Sequence, residues 1–262
     1  MNGFLPALWA ESLKARRSNV PLIASLGLTL APLMDGLFMF IMKDPARARE
    51  MGLLSVKAQL VMSVADWVTF FNVLTQAMAV GGAIVFSILT AWIFGREFSD
   101  RTAKDLMALP TSREKIVTAK MIIVLAWVFA TSLWFFVIGL AVGGLVNIPG
   151  WTNQLARQSF ADVLLTAVMT LLLMTPVAFI ASIGRGYLPP LGWAVLTIFL
   201  SQIIAATGWG DWFPWSVPAL YSGIVGPRSD QLGIHSYVLV ILAGVIGLAA
   251  TLWWWRGADQ KR

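Results

Sequence analysis

The sequence predicts an all-α polytopic membrane protein with six transmembrane helices. Three observations carry that prediction. Hydrophobic types make up 58% of the 262 residues and charged types only 12%. That is about half the charged share of an ordinary soluble domain, too little to cover a globule of this size with a polar surface. Six separate stretches are each long and apolar enough to cross a bilayer as a helix, which takes about 20 residues. The basic residues, finally, fall mostly in alternate connections between those stretches. The same composition excludes a soluble enzyme and a disordered chain. With no cysteine there is no disulfide, thiolate metal site or cysteine nucleophile, and with one histidine, His235, there is no histidine metal cluster. Neither a GxxxxGK(S/T) phosphate loop nor an HExxH or GxSxG motif occurs.

The elements follow in chain order, within one domain over residues 1–262. Residues 1–19 are too short and polar to span. Phe4, Leu5, Leu8, Trp9 and Leu13 share one helical face, with Glu11, Lys14 and Ser18 opposite. Lys14, Arg16 and Arg17 would meet anionic headgroups of membrane lipid, so this reads as an interfacial helix on the inner leaflet. A plain basic flank of the first span is the alternative. The spans lie near 20–42, 67–94, 121–146, 163–183, 188–206 and 236–255. The first is too long for the apolar stretch of a cleaved signal peptide, and none is expected. Pro176 should kink the fourth span. Pro189 and Pro190 sit in the first turn of the fifth, where a missing N–H costs little. Thr111-Ser112-Arg113-Glu114 fits a capping box, predicting a helix start that runs into the third span. Trp9, Trp67, Trp92, Trp151, Trp209, Trp212, Trp215 and Trp253 to Trp255 fall near proposed span ends, as interfacial aromatic belts do.

Orientation follows from the basic residues. The N-terminal segment, the 95–120 loop, the Gly184-Arg185-Gly186 turn and the C-terminal tail carry thirteen of the 19 Lys and Arg. That side is expected to be cytoplasmic, with both termini inside a bacterial plasma membrane. The segment from Lys43 to Lys57 puts four basic residues outside, and the 95–120 loop outweighs it with six. The formal charge of +6 is thus a topology signal, and no nucleic-acid partner is expected.

The 95–120 loop holds the most information. Phe98, Thr102, Leu106 and Leu109 follow i, i+4, i+8, i+11, one face of a single helix, and Arg101, Lys104 and Asp105 point elsewhere. Pro110 ends that helix. A short amphipathic helix with an apolar ridge and mixed charges between two long spans is a docking element.

The string Gly95-Arg96-Glu97-Phe98, then Thr102, Leu106 to Pro110, Thr111-Ser112-Arg113 and Lys120, resembles the cytoplasmic loop of ABC-2-type transporter permeases, the membrane subunits of ATP-binding cassette exporters. The resemblance covers nearly the whole chain. It is nearest to stand-alone permeases of the bacitracin-resistance type, through the segment from Asp44-Pro45 and Lys57-Ala58-Gln59 to Asp66-Trp67. It implies that the loop is a coupling helix seated in a groove of a separate ATPase. Glu97, Arg101, Thr102, Leu106, Pro110 and Arg113 match the family pattern, Phe98 and Leu106 serving as apolar anchors. Arg101 and Arg113 would pair with carboxylates or carbonyls of the ATPase. Glu97 is expected to pair with a basic residue of the N-terminal helix such as Arg16 or Arg17. Two ATPase copies and a second permease copy, identical or related, are the implied partners. No cofactor is expected in this chain, ATP and Mg being held by the ATPase, and no catalysis or metal. The implied cargo is amphipathic or hydrophobic: a peptide antibiotic, a drug or a lipid-like molecule.

The remaining features leave alternatives open. In 208–234, Trp209, Trp212, Phe213 and Trp215 are too apolar for a free loop, while Gly210, Pro214 and Pro218 break any full span. A re-entrant extracellular gate and an anchoring aromatic belt both fit. Asp35 lies inside the first span, at a cost of about 2.5–3.5 kcal/mol on insertion scales. It contacts substrate or protons, or it is a carboxyl bonded to a neighbouring helix or wetted from outside. Asn72 and Gln76, four apart, and Gln202 would line a cavity at a protomer interface or bond between helices. Gly139 and Gly143 allow close helix approach. His235 is either a proton sensor or an ordinary helix-end residue. Two further functions compete with an exporter subunit: an ATPase-independent secondary transporter or channel, and a non-transporting drug sensor.

Overall fold

The computed structural model describes residues 3–43, 64–107, 111–224 and 232–257. Among them the chain is helical, with six helices long and apolar enough to cross a membrane. The order is α1 (Phe4–Arg17), α2 (Val20–Lys43), α3 (Trp67–Ser99), α4 (Ala103–Met107), α5 (Arg113–Val146), α6 (Asn153–Leu173), α7 (Thr175–Ile183) and α8 (Leu188–Ala206). Two 3-10 turns, Gly210–Trp212 and Pro214–Ser216, then lead to α9 (Val217–Ser222) and α10 (Ile234–Gly257). The α6–α7 pair is the fourth span, broken in the middle, and α10 is the sixth.

α3 is the axis of the bundle. It packs on α2, α5, α6, α7 and α8, and it is the most buried span, whereas α2, α8 and α10 expose most of their apolar surface. Leu22, Ile23, Leu30 and Phe40 on α2, Val195 and Phe199 on α8, and Ile246 and Trp253 on α10 are all exposed. That surface suits hydrocarbon, where apolar groups cost nothing to leave uncovered. Phe70, Leu74, Met78, Phe86 and Phe94 of α3 are fully covered, as are Val117 and Phe135 of α5.

Local devices set the boundaries. The Asp66 carboxylate accepts from the Thr69 N–H at 2.8 Å and caps α3, and Thr152 does the same for α6 through the Leu155 N–H at 3.1 Å. α5 ends at Asn147, in the left-handed region with φ 54°. Lys43 donates to the carbonyls of Val146 and Asn147, both at 3.1 Å, placing a cation at the negative end of α5. Pro176 cannot donate to the Leu172 carbonyl one turn back. The Thr175 hydroxyl lies in hydrogen-bond range of that carbonyl at 3.0 Å and of the Gly244 carbonyl at 2.6 Å. Gly247 brings α10 against this break, since a Cβ there would collide with the Pro176 nitrogen.

Several expectations need correction. The helix of the second span runs past its apolar segment to Ser99, and with the helix of the third beginning at Arg113, inside the segment read as its start, the connection between them is residues 100–112. The single helix through Phe98, Thr102 and Leu106 does not exist. α3 stops at Ser99, Arg101 turns left-handed at φ 58°, and α4 restarts at Ala103. Leu109 and Pro110 lie outside the described residues. A helix does start at 112–113, but Ser112 is its N-cap without a side-chain bond. Glu114 is used instead by Arg256, at 2.6 Å. Of the tryptophans read as interfacial, Trp67 and Trp255 are core residues, 4% and 0% exposed. The side chains of Trp67 and Leu74 lie where Cβ atoms on Gly143 and Gly139 would be, so that glycine pair lets α3 close on α5.

Candidate functional site

The α3–α5 connection is built on a closed ring of charge. Lys14 Nζ meets Glu11 at 2.6 Å and Glu97 at 3.2 Å, and Lys120 Nζ meets Glu97 at 2.7 Å and Glu11 at 3.2 Å. Two lysines and two glutamates thus alternate around a square. Arg96 lies against both carboxylates, at 3.6 Å from Glu11 and 3.4 Å from Glu97, with its guanidinium 4.8 Å from the Trp92 ring centre. Lys120 is fully buried. Its ammonium has three protons and three acceptors: Glu11, Glu97 and the Ile93 carbonyl at 2.8 Å. A charge taken from water this way holds only when it is fully paired.

The ring lies where the apolar parts of α3 and α5 end. Two members come from α1 and three from the spans, so α1 is locked to both helices that carry the loop. Glu97 does pair with the N-terminal helix, but through Lys14. Arg16 and Arg17 are exposed. α1 turns the two faces read from its sequence in opposite directions. Its polar edge, Glu11, faces the protein at 5% exposure, while Leu5 and Trp9 are about 70% exposed on the other side. Glu11, Lys14, Arg96 and Lys120 were not predicted as site residues. The signal that points to them is a glutamate at the membrane edge, which requires cations, and the Glu11–Lys14 spacing on a helix.

Beyond the ring, Arg101, Thr102, Lys104 and Asp105 are exposed and Ala103 is buried. Phe98 turns inward, with ring centres 6.0 and 6.1 Å from Trp254 and Trp255, so within this chain it anchors α10. Leu106 also packs on the core. Arg113 donates to the Trp255 carbonyl at 3.4 Å, and the Trp255 indole N–H to the Ser182 hydroxyl at 2.9 Å. Gly95 passes the turn between the fourth and fifth spans so closely that a Cβ would stand 2.8 Å from the Gly186 carbonyl oxygen. In that turn, burial first and the nearby Asp100 carboxylate second push the Tyr187 phenol above its ordinary pKa.

At the opposite end of the bundle the aromatic segment divides. Trp209 and Trp212 are exposed, while Phe213 and Trp215 fold inward, 5.3 Å apart, with Trp215 edge-on to Trp193 at 5.8 Å. The Ser216 hydroxyl donates to the Ser201 carbonyl at 2.9 Å and the Tyr221 hydroxyl to Asp162 at 2.7 Å. Under this segment lies a cavity of about 30 Å³ between α3, α6 and α8, lined by Ser87, Thr170, Thr197, Ser201, Gln202 and Trp215 among others. It has room for a water molecule or two. Gln202 therefore borders a cavity within the protomer. Asn72 is exposed on the outer face of α3 and Gln76 is half-buried. Asp35 is 5% exposed, and neither carboxylate oxygen has a hydrogen-bond partner. Among the described residues no side chain of a neighbouring helix bonds to it. No group of three metal-ligating side chains occurs among the described residues.

Residues 7–201 match the family described as ABC-2 family transporter protein. The chain is also 24% identical, over 179 residues, to a bacitracin transport permease protein, BCRB, of Bacillus licheniformis; the match spans 68% of this chain and 85% of that protein. The family match takes in all five residues of the ion ring and ends at Ser201, before the aromatic segment.

Proposed function

We propose that this chain, which belongs to the ABC-2 transporter family, works as the permease half of an ATP-driven exporter, coupled through residues 100–112 to a separate ATPase. It is a multi-pass membrane protein and a transporter's membrane subunit; direction, cargo and coupling are the proposal. The observation that carries it is the rigid mount of the short loop. α3 and α5 project beyond their apolar segments and are welded to α1 by the buried ring. A push on a mount of this kind is passed to the axial helix of the bundle rather than absorbed in a flexible connection.

In this reading Arg101 and Thr102, with α4, form the face offered to the ATPase, while Glu97, Phe98, Leu106 and Arg113 hold that face in place. Two permease copies enclose the path, two ATPase subunits bind ATP and Mg, and closure of the ATPases opens the path outward. Exposed Asn72 supports a second copy on that face of α3, because an amide left in hydrocarbon lacks hydrogen-bond partners. The cargo is amphipathic or hydrophobic, in line with the bacitracin named for the relative, since the spans offer few charges along a path.

Co-expression with an ATPase encoded beside the chain tests this. A stable complex that hydrolyses ATP is expected, and Arg101→Glu or Leu106→Asp should abolish the complex or its turnover. Retention of both in both variants refutes the assignment. A second reading has one observation in its favour: the buried, unpartnered Asp35 is what a proton-coupled carrier requires. Transport that needs no ATPase and is lost in Asp35→Asn would establish it.

A further inference from the structure

His235 is the chain's only histidine, and it bridges two elements at the end of the bundle away from the ion ring. Its Nε2 lies 3.0 Å from an Asp211 carboxylate oxygen on the first 3-10 turn. The imidazole stacks on Trp212 of the same turn, with ring centres 4.5 Å apart and planes at 29°. Ser236 places its hydroxyl 3.4 Å from the same nitrogen. Gly233 leaves the space that the ring needs, since a Cβ there would stand 2.5 Å from His235 Nδ1. The turn that His235 holds begins the aromatic segment roofing the cavity between α3, α6 and α8.

We propose that His235, Asp211 and Trp212 form a proton-strengthened clasp that keeps the aromatic segment shut on α10 in acid and lets it lift as pH rises. A carboxylate only accepts hydrogen bonds, so the neutral ring must carry its proton on Nε2 to make the contact. A second proton leaves that bond in place and turns it into a charge-assisted one. It also sets a cation over the Trp212 face. Both changes favour the closed segment, and histidine is the side chain that changes charge between about pH 5 and 8.

The ionisable groups on the elements packed here are few. The first 3-10 turn contributes Asp211, and the second contributes none. α9 contributes Tyr221, whose hydroxyl is given to Asp162 of α6, and α6 adds Arg157. Among the described residues, α10 adds the Tyr237 phenol and carries no other charge until Arg256, at its far end. The Tyr221–Asp162 bond holds the same segment to α6 at 2.7 Å. On the exporter reading, acid would slow the outward step; the clasp itself does not depend on that reading.

The absence of cysteine gives a direct test with the full-length chain in detergent. Ala219, buried on α9 of the segment and lining the cavity under it, is replaced by cysteine, and its labelling by a maleimide is followed from pH 5.5 to 8. Rates are divided by those of Asn153→Cys, an exposed reference at the same end, which removes the thiol's own pH dependence. The normalised rate should fall about two- to fivefold on acidification, the range of a half-exposed ion pair. His235→Gln should flatten the profile. Asp211→Asn, which leaves the ring and its stacking in place, should reduce the pH dependence to the part carried by the Trp212 stack. An identical normalised rate at both pH values, including no labelling at either, overturns the clasp, as does a pH dependence that survives His235→Gln.

Discussion

Lys120 is the residue on which the ion-ring end of the molecule turns. It sits at the first turn of an apolar run, where a sequence reader counts it as one more basic residue on the cytoplasmic side. Packed between α1 and α3, it becomes the fully buried centre of five charges. Lys120→Met should cost about 3–5 kcal/mol, because it strands Glu11 and Glu97 without their buried cation. Lys14→Ala should cost less than about 1 kcal/mol, since Lys14 is 35% exposed and water screens its loss. Thermal unfolding of both variants in detergent checks the contrast, and equal losses would mean that the ring is not buried as described. Glu97 and Arg101 were legible in the sequence because a family motif marks them. Arg96 stands in the same motif and Glu11 and Lys14 share a helical spacing, but that these charges meet Glu97 and Lys120 is a tertiary contact that no local spacing shows.

At the scale of elements, periodicity located the six spans and failed where it had to choose a face or a break. α1 has a clean amphipathic pattern, which gives two faces but not what each one meets. The ring turns the Glu11 edge into the protein, leaving Leu5 and Trp9 exposed. The i, i+4, i+8 spacing of Phe98, Thr102 and Leu106 is real in the sequence, but a left-handed residue at Arg101 cuts it. The broken fourth span shows the opposite case. Pro176 announced a kink, and the structure adds Thr175 and Gly247 as the groups that make it tolerable. Gly247→Val should destabilise the bundle by about 1–3 kcal/mol through overpacking against the Pro176 backbone. Gly257→Val, at an open position, should be nearly silent. Unfolding midpoints of the pair measure this, and a silent Gly247→Val would show that α7 and α10 do not meet there.

For the molecule as a whole, topology and pairing are the open quantities, and the Cys-free chain makes both measurable. Lys104→Cys in intact cells should resist a membrane-impermeant maleimide and react after permeabilisation, whereas Asn153→Cys should react from outside. The reverse pattern would invert the bundle and move the ion ring to the external face. Asn72→Cys should form a disulfide-linked dimer on mild oxidation if a second copy covers that face of α3. Monomer alone would place the protomer contact on another helix, such as α2 or α8, whose apolar surfaces are equally uncovered.

The sequence by itself determined that the chain spans a membrane, how many times, where the spans lie, and which family motif the loop between α3 and α5 carries. These follow from composition, run length and local turn chemistry, which act within a few residues and survive in a one-dimensional reading. Only the tertiary structure decided which charges meet. It paired Glu97 with Lys14 and Lys120, Glu114 with Arg256 and Asp211 with His235, and among the described residues it gave Asp35 no partner. The reason is physical. In a low-dielectric interior a charge must find its partner across space, and which partner is near depends on how helices distant in the chain are packed.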